Sequence, residues 1–172
     1  MTQKQKSLID ELIDSIPENQ KKIFEEIAYY FIELGYIPHK SKVKDFILIF
    51  KHSGNSKAIS KMGIRKQKAF VSIRFFACKN IPEKYMDALR NDLDSRDGQY
   101  GGLLRSNTEK NKCGYCPVCT GGGIGYYYKY PDGKEILRCG AYPIEIPVIN
   151  ETDVTEMKKI ILEQHNYFLS IA

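Results

Sequence analysis

Leu8, Ile9, Leu12, Ile13 and Ile16 recur at helical spacing, so the chain opens with a short amphipathic helix that must stop before Pro17. Ser15-Ile16-Pro17-Glu18 has the form of a capping box, which predicts a second helix over about 17–34. Ile23, Phe24, Ile27, Phe31 and Leu34 form its apolar face, and Gly35 supplies a left-handed stop. Phe46-Ile47-Leu48-Ile49-Phe50 is a continuous apolar run too short for an independent helix, and it reads as a central strand covered on both faces. Ala69 to Cys78 reads as a second strand, with Val71, Ile73 and Phe75 on one face and Ser72, Arg74 and Phe76 on the other. Asn80-Ile81-Pro82-Glu83 repeats the helix-start pattern, and Tyr85, Met86, Leu89 and Leu93 carry a helix onward.

Asp94 to Lys112 is polar and has no period, which predicts an exposed loop. Tyr126–Tyr130 and Glu135–Cys139 flank Pro131-Asp132-Gly133, a turn sequence, and predict a β-hairpin with Tyr130 opposite Lys134. That register sets Tyr128 opposite Ile136 and Cys139 opposite Gly125. Ile144–Ile149 can add an edge strand interrupted at Pro147. A closing helix follows, capped by Asn150 or Thr152, with Val154, Met157, Ile161 and Phe168 on its buried face. The sum is an α+β fold: an antiparallel or mixed sheet packed by helices, with a zinc-ribbon-like cysteine loop and hairpin. A length of 172 residues favours one domain, in which residues 113–140 are an elaboration.

Four of the five cysteines, Cys113, Cys116, Cys119 and Cys139, crowd into residues 113–139, and this clustering favours metal chemistry in a reducing compartment over a secreted disulfide framework. Cys116-Pro117-Val118-Cys119 followed by Thr120 and glycines resembles a zinc knuckle, a turn that aims two thiolates at one ion. The hairpin delivers Cys139, and Cys113 is the natural fourth ligand of a closed, structural site. A zinc ribbon would place its last cysteine where this chain has Tyr142, so Cys78, His39, His52 and His165 are substitutes for the fourth position. An iron–sulfur cluster on the same thiolates, a dithiol redox pair of Cys113 and Cys116, and unligated thiols are the competing readings.

The net charge of +5 hides a polarised chain. Lys40 to Lys79 holds nine lysines and two arginines against one acid, Asp45, a net of +10 that leaves −5 elsewhere. An anion-binding face including Lys57, Arg65, Lys66 and Arg74 is one expectation, with nucleic acid or a phosphorylated ligand as partner. Solvent-facing lysines that discourage strand-edge pairing are the other. Ser53-Gly54-Asn55-Ser56-Lys57 could wrap an anion with backbone amides, though it lacks full phosphate-loop spacing. Tyr126, Tyr127, Tyr128 and Tyr130 suit either stacking on a ligand or ordinary cross-strand packing. No Ser/His/Asp grammar or paired-acid constellation is visible, so catalysis is not the leading expectation.

The order helix, helix, strand, strand, helix, with Phe75-Phe76-Ala77-Cys78 and a closing Arg138-Cys139-Gly140 hairpin, resembles small bacterial α+β domain families of unknown function with a cysteine-rich zinc hook. The resemblance implies a ligand or partner surface and transfers no functional residue. The leading functional expectation is a zinc-stabilised binding or regulatory module with a basic face, and the alternatives are a small-molecule sensor or enzyme and a dithiol oxidoreductase. With no membrane-length apolar run and no signal-peptide pattern, the expected compartment is the cytoplasm.

Overall fold

The computed structural model describes residues 1–74, 85, 125–129, 135–139, 143–146 and 150–170. The chain falls into two compact units, Met1–Ile73 with Glu145–Ala172, and Arg74–Ile144. The predicted 113–140 elaboration lies wholly inside the second.

Helix α1 (Gln3–Ser15) begins with a capping box not anticipated from the pattern: the Gln5 amide donates to the Thr2 hydroxyl and the Thr2 amide to the Gln5 side chain. Its apolar stripe buries Ile9 and Leu12 completely, and Ile16 turns extended before Pro17, as expected. The capping box expected at Ser15–Glu18 does not form. Ser15 Oγ instead donates back to the Leu12 carbonyl at 2.6 Å, Pro17 opens a 3-10 turn (Glu18–Gln20), and α2 runs over Lys21–Glu33 without a side-chain cap. Glu18 pairs with Lys21 at 2.8 Å. Gly35, at φ +83°, takes the predicted left-handed stop.

Five strands form one sheet in the order β1-β2-β3-β4-β7: β1 (Tyr36–Lys40), β2 (Ile47–His52), β3 (Ala58–Arg65), β4 (Lys68–Arg74) and β7 (Pro143–Ile146). The first four are joined as antiparallel neighbours. Pro38, which lacks a backbone donor, is tolerated because β1 is an edge. Two residues of β3 oppose one step of β2 at Phe50/Lys51, a bulge centred on Ile59. The run at 46–50 does lie inside the sheet, with Leu48 and Phe50 fully buried.

One face of the sheet carries Leu48, Phe50, Met62, Val71 and Ile73, all buried, with Phe31 of α2 stacked on Phe50 at 4.8 Å between centroids. The register puts Ile47, Gly63, Phe70 and Ser72 on the opposite face, and these are buried too. Covering of both faces explains why β2 reads as a continuous apolar run. Buried Ser60 and Ser72 are satisfied within the sheet: the Ser60 hydroxyl donates to the Ser72 carbonyl at 2.8 Å, and the Ser72 hydroxyl to the Lys61 carbonyl at 3.4 Å.

Helix α3 (Glu151–Ser170) closes the first unit. Asn150 Oδ1 accepts the Thr152 amide at 3.0 Å, while Asp153 Oδ2 accepts the Asn150 amide at 3.1 Å, a reciprocal cap. All four predicted apolar positions are buried, joined by Ile160 and Gln164. Asn150→Ala should therefore lower stability by about 1 kcal/mol, read as a shift in the urea midpoint.

In the second unit, β5 (Gly125–Lys129) and β6 (Glu135–Cys139) form the predicted hairpin in the predicted register, Tyr128 opposite Ile136 and Gly125 opposite Cys139. Tyr85 is helical and buried, in keeping with the expected helix from residue 80, whose remaining residues lie outside those described. No helix among the described residues is long and apolar enough to cross a membrane.

Candidate functional site

Strand direction sorts the basic segment into two groups. β1 and β3 run toward one end of the sheet, so the 41–46 loop and the turn after Arg65 sit at that end together. The Ile64 amide donates to the Phe46 carbonyl at 3.0 Å and fixes the loop against β3. Lys40, Lys42, Lys44, Arg65, Lys66 and Lys68 thus collect at one sheet end. Lys57 precedes β3 and lies at the other end, roughly 25 Å away along an eight-residue strand. Arg74, last residue of β4, runs away from the turn as well. The four residues expected to bind anions therefore do not form one face: Arg65 and Lys66 lie at this end, and Lys57 and Arg74 lie away from it.

Two of the six bases are already committed. Lys40 pairs with Glu11 and lies 4.3 Å over the Phe46 ring, while Arg65 contacts Glu145 at 2.9 Å and lies 4.3 Å over Phe70. Lys42, Lys44, Lys66 and Lys68 form no ion pair among the described residues, and all four are exposed. Lys66 and Gln67 both adopt positive φ, +48° and +64°, in a two-residue turn closed by the Arg65–Lys68 pair. That geometry prefers Asn-Gly, so a lysine here is held at a conformational cost.

The Ser53–Lys57 loop is not an anion cradle. The Ser53 amide donates to the Gly35 carbonyl, Gly54 to His52 Nδ1, Ser56 to the His52 carbonyl and Lys57 to Asn55 Oδ1, which leaves one amide of five for a ligand.

A cluster that the pattern did not reveal joins β1, β2 and α3. Tyr36 is buried, and its ring meets His52 at 5.3 Å and His165 at 5.7 Å, both edge-on, while the two imidazoles are 5.9 Å apart. Tyr36 Oη lies 3.3 Å from His165 Nδ1, and the Gly54 amide donates to His52 Nδ1 at 3.3 Å. Burial pushes the Tyr36 phenol above its ordinary range, so the hydroxyl stays protonated beside His165. Desolvation, with the neighbouring His52 second, holds His165 below 6.5. With Nδ1 accepting from the Gly54 amide, neutral His52 carries its proton on Nε2. His39, on edge strand β1, is exposed. A signal existed only in three dimensions, because positions 36, 52 and 165 share no sequence spacing.

Among the described residues no group of three or more His, Cys, Asp or Glu converges. Cys78, Cys113, Cys116 and Cys119 lie outside the described residues, and Cys139 ends β6 opposite Gly125, six positions after Cys119. Set against protein-family models, curated proteins and solved structures, the chain finds no match in any of the three.

Proposed function

We propose that this protein is a zinc-stabilised binding module that engages an anionic partner, nucleic acid first, through the sheet end formed by the 41–46 loop and the Lys66–Gln67 turn. The observation that carries the reading is the convergence of Lys42, Lys44, Lys66 and Lys68 from two separate connections. Phosphates spaced along a backbone are neutralised best by cations that are exposed and not already paired, and these four meet both conditions among the described residues. The exposed Val43 between Lys42 and Lys44 adds an apolar contact at the same place. The strained turn adds independent support, because positive φ at Lys66 has a stability cost that a charge needed at this position would explain.

The test is fluorescence anisotropy with a labelled mixed-sequence duplex over a salt series. Binding should weaken steeply with salt, and the quadruple change of these lysines to glutamine should flatten the slope of log K against log salt by about 3 to 4. Binding that ignores salt, or survives the quadruple change, would sink the reading. A second variant separates charge from fold: Lys66→Asn with Gln67→Gly should raise stability by about 1 kcal/mol while weakening duplex binding. Weakened stability together with weakened binding would assign the turn a structural role only.

A further inference from the structure

We propose that Arg65 is a stacking plate for an unpaired base, which makes single-stranded nucleic acid the partner at this sheet end, a reading that rests on the anion-binding one and narrows it. Three neighbouring strands build the plate. Arg65 leaves the end of β3, lies 4.3 Å over the Phe70 ring of β4 and donates from Nη1 to Glu145 Oε2 of β7 at 2.9 Å. The side chain therefore reaches across β4 along the sheet face instead of out into water. Phe70 is 5% exposed and the Arg65 side chain above it 43%, so the guanidinium is the surface at this place and the ring is its support.

A group held in this way is poorly suited to neutralising phosphate. Any phosphate that approaches Arg65 also meets the exposed Glu145 carboxylate. What the pair leaves in place is a flat, weakly hydrated cation, and a guanidinium plane is a surface on which bases stack. Contact with a ring on one side and a carboxylate at one nitrogen restricts its rotamers in advance, which lowers the entropy cost of a base arriving on it. Lys40 gives the contrast at the same sheet end. It lies over Phe46 and pairs with Glu11, but its cross-strand partner is Leu48 on the other face, and its compact ammonium offers no plane.

The neighbouring lysines are placed to hold a strand around the plate. Lys68 is the cross-strand partner of Arg65, with Cβ atoms about 5 Å apart, and Lys66 follows Arg65 in the turn. Like charges directly opposite each other destabilise a sheet, and the Glu145 carboxylate offsets that cost here. A backbone tracked by Lys66 and Lys68 brings its bases to Arg65. A duplex keeps its base faces stacked on one another and can use the lysines alone, whereas an unpaired base can use the plate as well.

Fluorescence anisotropy at one salt concentration tests this with two labelled strands of equal length: a mixed-sequence oligodeoxynucleotide and its abasic counterpart, which carries the same phosphates and no bases. The native chain should bind the intact strand about tenfold more tightly than the abasic one. Arg65→Lys conserves the charge but not the plane, and should bring that ratio close to one. Glu145→Ala, which unpins the guanidinium, should lower the ratio, and Glu145→Gln, which keeps an acceptor for Nη1, should restore it. Equal binding of the two strands by the native chain would overturn the plate and leave the anion-binding reading standing, whereas failure to bind either strand would remove both. A preference undiminished in Arg65→Lys would place the stacking elsewhere and overturn the proposal.

Discussion

Gly63→Ala should cost about 3 kcal/mol of stability, a large effect for one methyl group. A Cβ at this position would sit 2.2 Å from the Phe46 carbonyl oxygen, 2.8 Å from Ile47 Cα and 3.1 Å from the Phe46 carbonyl carbon. All three are backbone atoms, so no side-chain rotation relieves the clash. The strands must part, and the bond from the Ile64 amide to the Phe46 carbonyl goes with them. Because that bond fixes the loop carrying Lys42 and Lys44, the variant should also weaken anion binding. Gly54→Ala is the control: its nearest contacts are His52 ring atoms at 3.4 Å, and the expected change is within about 0.5 kcal/mol. Urea unfolding at constant m-value reads both. A midpoint for Gly63→Ala equal to that of the native chain would mean that β2 and β3 do not approach as described.

The same close approach shows where the pattern of residues could and could not be read. α1, α2, the central run and the closing helix were legible because each buries one continuous apolar stripe or core segment, from Ile9 to Phe168. The hairpin register was legible because a turn sequence sets strand pairing by counting. β3 was not read as a strand, since Gly63, Ser60 and the extra residue at Ile59 break the alternation of Ile59, Met62 and Ile64. β1 was missed because Pro38 argues against a strand unless the strand is known to be an edge. Ser15–Glu18 fitted a capping box, yet a serine in the last helical turn can satisfy itself on its own helix, and Leu12 O was nearer at hand.

Candidate sites suffered more from the missing third dimension. A count of charge along Lys40 to Lys79 treats Lys57 and Lys66 as neighbours in one basic segment, whereas an intervening strand carries them to opposite ends of the sheet. With β3 absent from the expected topology, no grouping by sheet end was open to the sequence. The histidine cluster depends on contacts between residues 129 positions apart, beyond any local period.

Removal of metal carries the other large expected effect, in the second unit. If Cys113, Cys116, Cys119 and Cys139 hold zinc as proposed, protein purified without chelator should contain about one zinc per chain and show no visible absorption band. The hairpin register bears on this: Cys139 opposite Gly125 returns the chain to the exit of the glycine-rich segment that follows Cys119, where a ligand must arrive to close a tetrahedral site. Ordering a segment such as Thr120-Gly121-Gly122-Gly123 would cost conformational entropy with no apolar side chain to offset it, so the proposed zinc would be the source of the stabilisation. Chelation, or Cys139→Ser, should therefore strip hydrogen-exchange protection from 125–129 and 135–139 by a hundredfold or about 3 kcal/mol, while 9–31 and 47–52, which have their own apolar core in the first unit, keep theirs. An iron–sulfur spectrum would redirect the cluster to electron transfer or iron sensing, and metal-free protein with full hairpin protection would remove the metal from the proposed function altogether.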